Sequence, residues 1–294
     1  MRPRYVYTAT VVIDLLLVGL NGFVALVGGS RIVLSEAVFS AADLLGSAML
    51  LWGLVVSLRP PDENHPFGRG KERFFWAFAA SLVTFSLTGL GVFLVGFQQY
   101  SDPHVVSDVG LGLVVVGATL AASAVGILIL LRELRSTHES LSNFLISTQL
   151  GLKTVFYQDL ISAVASAVAF GGLAALYRTG NGVFDGLTTM GVGSILVATG
   201  FLLAAESREL LVGKGITAEE AREMLSLVAR APRVRKVRTF QSMMLGPDEI
   251  LLAIRINFQD GLTTDQIEAE IDEIGGFLRR KYPKLRHIII EPES

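Results

Sequence analysis

The chain has 294 residues, 51% of them apolar and only 18% charged, with a mean hydropathy of +0.53. That is too apolar for an ordinary soluble domain, and a net charge of −2 leaves no electrostatic footprint for nucleic acid. The absence of cysteine excludes disulfides and thiolate metal sites.

Charge is placed unevenly along the chain. Residues 1–213 carry 12 Lys/Arg and 14 Asp/Glu, whereas residues 214–294 carry 13 of each. A sparse apolar block (1–213) is therefore followed by a compact charged one (214–294), with the boundary at "LLVGKGIT". A membrane span needs roughly 20 mostly apolar residues to cross about 30 Å of hydrocarbon. Six segments qualify, at about 8–29, 33–57, 74–98, 108–131, 152–176 and 183–205. The first lacks a small-residue cleavage pattern and is too long for a signal peptide. With the N-terminus inside, one side collects Arg2, Arg4, Arg59, Arg69, Lys71, Arg73, Arg132 and Arg135, and the other only Arg31 and Arg178. The positive-inside bias thus puts both termini in the cytoplasm.

The tail alternates helix and strand patterns. "TAEE" (Thr217 to Glu220) is a capping box, opening a helix with Met224, Leu225 and Val228 on one face. "VRKVRTFQSMML" and "EILLAIRINF" read as strands around a Gly-Pro-Asp turn, the second alternating Leu252, Ile254, Ile256 and Phe258 with more polar positions. A helix with Ile267, Ile271, Ile274 and Leu278 and a strand "LRHIIIEP" follow. The expected fold is an α-helical membrane protein, a six-helix bundle followed by a small α+β domain of αββαβ, ferredoxin-like order.

Acids in the spans carry the chemistry, since an Asp at a helix centre costs about 2.5–3.5 kcal/mol on insertion. Asp14, Glu36, Asp43 and Asp159 lie in or at the edges of the spans, and Asp185 just inside the sixth. Glu36 and Asp185 are near span ends, where capping or interfacial roles compete with function. Asp14 stands about 9 Å into the first span, within range of pairing with Arg2 or Arg4. Asp43 is mid-span, with Ser40 and Ser47 close by on its face, and Asp159 follows Tyr157 and Gln158. Two buried acids on different helices form a hard-oxygen cation site, and such a pair also takes protons. Counting from the outer span ends, however, separates Asp43 and Asp159 by roughly 10 Å in depth. A tilted or extended fifth helix, or a bend at Gly171-Gly172, would reconcile them.

The loop "RPPDENHPFGRGKERFFWAF" (59–78) brings in a resemblance. With six spans, an αββαβ tail, "GSRIVLSEAVFSAADLLGSAMLLWG", "SLSNFLISTQ", "YQDLISAVASAVA", "GNGVFDGLTTMGVGSILVATGFLLAAESRELLVG" and "IIIEP", the chain resembles a cation diffusion facilitator along its whole length. The resemblance implies a divalent cation carried between spans two and five by Asp43 and Asp159, exported in exchange for protons. It also implies a homodimer with paired cytoplasmic tails in the cell (inner) membrane, and no permanently bound cofactor. The pattern departs at Phe39, where the similar subgroup has histidine, at Val155, and at Gln158, where it has glutamate. Without histidine a tight tetrahedral zinc site is disfavoured. Oxygen remains: Asp43 and Asp159, with Ser40, Gln158 and Asn21 as neutral donors, a set suited to Mn, Fe(II) or Mg.

In the loop, Asp62 matches a site that some members use for metal and His65 is beside it, but Arg69 replaces a histidine. Arg69, Lys71 and Arg73 read as lipid-headgroup anchors, and His287 as a half-buried strand residue. The competing reading is a transport-incompetent paralogue serving as a dimerisation partner or scaffold; transport of a non-metal substrate is a third. No nucleophile–base arrangement or nucleotide loop points to an enzyme.

Overall fold

The computed structural model describes residues 3–28, 31–103, 109–136 and 150–293; the side chains of 3–7, 28, 31–36, 39, 84, 85, 87, 111, 136, 150–155 and 158 lie outside that description. Among the described residues, six helices are long and apolar enough to cross a membrane. They are α1 (Pro3–Gly28), α2 (Arg31–Ser57), α3, α4 (Val109–Ser136), α5 (Leu150–Thr179) and α6 (Val183–Val212). The third runs as α-helix over Glu72–Ala80, π-helix over Ser81–Leu87 and α-helix again over Thr88–Ser101. The Ser81 hydroxyl donates to the Ala77 carbonyl at 2.8 Å where the wider turn begins, the back-bonding that loosens a helix ladder.

The chain divides into two compact units, one comprising residues 1–56 and 73–208, the other 57–72 and 209–294. In the first, Val92, Val116, Ile161, Ala165, Ala169, Leu173, Val192 and Leu196 form a buried cluster drawn from α3, α4, α5 and α6. The outward faces are as apolar as the core: Leu16, Phe23 and Leu26 of α1 are 70%, 67% and 88% exposed. At ~25 cal/mol per Å², such surface is stable against lipid chains and costly against water. Gly171 and Gly172 lie inside one continuous helix, and Gly172 packs against Thr188 of α6. Gly172 serves helix contact while Gly171 has nothing within 4 Å, and α5, with 30 residues spanning about 45 Å, is longer than the hydrocarbon that the depth count assumes.

The second unit has α7 (Ala218–Val228), β1 (Val234–Gly246), β2 (Glu249–Phe258), α8 (Thr264–Lys281) and β3 (Leu285–Glu293), the αββαβ order expected. Its sheet runs β1-β2-β3, antiparallel and then parallel. Leu252, Ile254, Ile256 and Phe258 are all buried, as strand alternation predicts. Thr217 caps α7, its hydroxyl accepting from the Glu220 N–H at 3.2 Å while Glu220 accepts from the Thr217 N–H at 3.1 Å. Thr263 and Gln266 repeat the device on α8. Of the α7 face, Met224 and Val228 are 1% exposed but Leu225 is 37% exposed, because i and i+4 point to the sheet and i+1 turns away.

The loop 57–72 is part of this second unit. Gly70 lies against the Leu245 carbonyl and Gly246, the Phe67 ring meets the His287 ring edge-on at 5.2 Å, and Lys71 Nζ reaches Met243 Sδ at 3.3 Å. Asp62 holds the turn: Oδ1 accepts from the His65 N–H at 2.8 Å and faces His65 Nδ1 at 3.0 Å, while Oδ2 accepts from Arg69 at 2.9 Å. Arg69 and Lys71 therefore have partners within the second unit.

Arg69, and after it His65, holds the Asp62 carboxyl at about 2, below its ordinary 3.8. A depressed carboxylate contributes stability that is fully present above the unfolded value and lost as pH falls through the folded one. The turn is therefore expected to persist at pH 4 and to loosen toward pH 2. The carboxyl-carbon shift of Asp62, followed by NMR, checks this; a midpoint near 4 would refute it.

Candidate functional site: an acidic cavity among four spans

A cavity of about 20 Å³ opens among α1, α2, α4 and α5, lined by Thr10, Ile13, Asp14 and Leu17, by Ser40 and Asp43, by Thr119, Ala122, Ser123 and Gly126, and by Asp159 and Ser162. That is room for one water-sized body. Each helix delivers its polar groups at helical spacing. Ser40 and Asp43 are three apart, as are Asp159 and Ser162, while Thr119 and Ser123 are four apart, so each pair shares a face. Asp14 and Asp43 are each 8% exposed and Ser40 is 2% exposed, whereas Asp159 is half-buried.

Hydrogen bonds fix the frame. The Ser47 hydroxyl of α2 donates to Asp14 Oδ2 at 2.6 Å. Asn21 Nδ2 donates to Ser40 Oγ at 2.6 Å and to Thr119 Oγ1 at 3.3 Å, joining α1, α2 and α4. Ser123 donates to Ser162 at 2.9 Å, joining α4 and α5. Such interhelical bonds in lipid each contribute about 0.6 kcal/mol and up to about 2. Their larger consequence is to hold the acids at fixed positions.

The structure brings Asp43 and Asp159 to one cavity and adds Asp14 as a third wall. Asp14 accepts from Ser47, and the side chains of Arg2 and Arg4, weighed as its partners, lie outside the described residues. Ser40 lines the cavity, whereas Asn21 lies behind it as a support. Glu36 and Phe39 sit on α2, and Val155 and Gln158 on α5, with side chains outside the described residues. Asp185 stands in the first turn of α6 and is fully buried rather than interfacial; Asn181 Oδ1 accepts from the Val183 N–H there at 3.0 Å. Asp62 and His65 belong to the loop turn of the second unit.

Sequence reasoning missed Thr10, Thr119, Ser123, Gly126 and Ser162. The signal was present on α4, where "GATLAASAVG" sets two hydroxyls and a glycine on one face of a span without charge. Gly126 matters because of what it lacks. A Cβ there would stand 2.5 Å from Asp159 Oδ2 and 2.8 Å from its carboxyl carbon, so the carboxylate rests directly against the α4 backbone.

Among the described residues no three His, Cys, Asp or Glu side chains converge closely enough to close a metal shell. A hard cation held by these carboxylates would complete its shell with neutral hydroxyls or water. Comparison with known proteins decides the family: the model of the cation efflux transmembrane domain matches residues 7–212. The chain belongs to the cation efflux family. That family comprises membrane transporters rather than enzymes, and this member is a multi-pass membrane protein with six candidate spans followed by a small three-stranded α+β unit. The chain is 23% identical to the mitochondrial proton-coupled zinc antiporter SLC30A9 of Xenopus laevis, covering 96% of this chain and 58% of that protein. It is 24% identical to metal tolerance protein C4 of Arabidopsis thaliana, covering 78% and 51% respectively. With the cation-efflux pump FieF of Yersinia enterocolitica it shares 26% identity over 96% of this chain and 92% of the relative. The chain thus spans little more than half the length of the first two relatives.

Proposed function

We propose that this cation efflux protein is a secondary-active transporter that exports a divalent metal cation from the cytoplasm in exchange for protons. The observation that carries the reading is the cavity itself. Asp14, Asp43 and Asp159, from three different spans, line one space large enough for a single ion. Carboxylates in spans are costly to insert, and here they surround a space that a cation would fill. Asp43 and Asp159 are the metal-binding pair, with Ser40, Gln158 and water completing the oxygen shell. Asp14, oriented by Ser47, adds negative charge beside them.

In the cycle, metal enters from the cytoplasm onto ionised Asp43 and Asp159, and the bundle rocks to open the other side. Protons then take the same oxygens and release the metal. Glu36, nearer the far surface, lies on the exit side. An all-oxygen donor set favours Mn, Fe(II) or Mg, while zinc and cobalt stay in the substrate class, zinc being named for the SLC30A9 relative. The block 1–213 carries transport and 214–294 pairs two copies into a homodimer. Both termini face the cytoplasm, and the FieF relatives support placement in the cell inner membrane. The scaffold alternative is disfavoured because an idle protein gains nothing from three acids in its spans.

The test is metal-driven proton flux in liposomes containing purified protein, challenged in turn with Mn, Fe(II), Co, Zn, Cd and Mg. Wild type is expected to release protons with a subset of these. Asp43→Asn and Asp159→Asn, which keep shape and remove charge, are each expected to lose at least about a hundredfold of that flux. Silence from wild type with every metal, while the protein stays folded, would overturn the proposal.

A further inference from the structure

The third span is fastened to a different neighbour at each end. In its first part, Glu72–Ala80, Trp76 lies against α2: a Cβ on Gly53 would stand 2.8 Å from Trp76 Cβ. In its second part, Thr88–Ser101, the contacts are with α6. A Cβ on Gly89 would stand 2.8 Å from Val197 N, and one on Gly96 would strike Met190 N. The first part is therefore packed on the helix that carries Asp43, and the second on a helix that contributes nothing to the acidic cavity.

Between these two attachments lies the π-helical segment Ser81–Leu87. An i→i+5 turn holds one residue more than an α-turn, and inside α-helices such wide turns are rare and cluster at functional sites. In a membrane the wide turn has a cost, because no water serves a carbonyl that its ladder pairs poorly. The sequence places a hydroxyl at each end of the segment. Ser81 Oγ donates to the Ala77 carbonyl at 2.8 Å, and Thr88 Oγ1 to the Val83 carbonyl, five residues back, at 3.3 Å. A hydroxyl rotates about its own bond and can follow a carbonyl as the turn changes shape, which a backbone N–H cannot do.

The rocking step of the transport cycle displaces the helices of the cavity against the rest of the bundle. A helix held by α2 at one end and α6 at the other must bend when those two move apart or twist, and a π-turn is one of the few places where a helix bends cheaply. We propose that Ser81–Leu87 is a joint in the third span, whose first part moves with α2, and so with Asp43, while its second part stays on α6. Its purpose rests on the transport reading, but the joint can be measured without transport.

The test uses the full-length protein in lipid nanodiscs and liposomes. Deleting Leu82, an exposed residue of the segment, removes the one residue by which the wide turn exceeds an α-turn, so both attachments keep their register. That variant is expected to melt close to wild type. Deleting Val92, buried in the α-helical second part, instead turns Gly96 about 100° off α6 and is expected to lower the melting temperature sharply. In the variant lacking Leu82, metal-driven proton flux is expected to fall at least about tenfold, since the conformational step is hindered. The chain has no cysteine, so spin labels on Phe75→Cys and Leu94→Cys report alone. Both positions are exposed and flank the joint, roughly 28 Å apart along the helix. Without Leu82 a single narrow distance is expected, and with it two. Deletion of Leu82 as disruptive as that of Val92, undiminished flux in the folded variant, or one narrow distance in wild type would each overturn the joint. Should wild type move no metal, the transport reading fails by itself and the two distances still decide the joint.

Discussion

Gly126→Ala is expected to leave the protein folded and to slow metal-driven proton flux by about ten- to a hundredfold. The new methyl would stand 2.5 Å from Asp159 Oδ2. All three of its nearest neighbours are atoms of that one carboxylate, the free end of a side chain. The strain is relieved by swinging the carboxylate away, which costs little stability. Transport is affected more, because a displacement of about 1 Å in a positioned reacting group can cost about a hundredfold in rate. The measurement is flux against metal concentration, alongside thermal melting of the same preparations. An unchanged flux in a folded Gly126→Ala protein would show that Asp159 need not rest on α4.

Gly193→Ala is expected to do the reverse, lowering stability first. On α6, Gly186 and Gly193 lie seven residues apart, and on α3 so do Gly89 and Gly96, so each pair marks one face two turns apart. A Cβ at Gly193 would meet Phe93 N at 2.5 Å and Phe93 Cα at 2.7 Å, and one at Gly186 would meet Tyr100 N at 2.5 Å. These neighbours are backbone atoms, and neither helix can move one without moving the other. Small residues that let spans approach this closely are how helices associate where lipid removes the hydrophobic drive. Overpacking of this kind costs about 1–3 kcal/mol. A fall of several degrees in melting temperature is expected for Gly193→Ala and a larger one for Gly193→Val. A melting temperature equal to wild type would mean that α3 and α6 are not held by this contact. The two glycines face equally short contacts, and what each would strike decides the opposite outcomes.

Much of the architecture was legible in the chain because its causes are local. Apolar runs of span length, the Thr217–Glu220 capping box and the alternation through Leu252, Ile254 and Ile256 each depend on residues near one another in sequence. Asp43 and Asp159 stood out for the same reason, since the cost of an acid in a span is a property of that span alone. Even the loop was half legible: Asp62 matched a position that some members use for metal and His65 was expected to be chiefly structural, but the turn they close with Arg69 was not foreseen.

Which groups meet could not be read from the chain. Depth counting from the outer span ends set Asp43 and Asp159 apart, because it assumes that each helix stops at the membrane surface, whereas α5, at 30 residues, is longer than the hydrocarbon. Asp14 was weighed between function and pairing with Arg2 or Arg4, and its hydrogen bond to Ser47 of α2 could not be read from the chain. Gly126 and the hydroxyls of α4 carried no charge to draw attention. By itself, the sequence determined six spans, an αββαβ unit and two costly acids, because hydrophobic period and insertion cost are summed along the chain. Only the tertiary structure decided that three acids share one cavity and that Asp159 rests on a glycine, because those facts depend on how helices distant in sequence cross and how closely they approach.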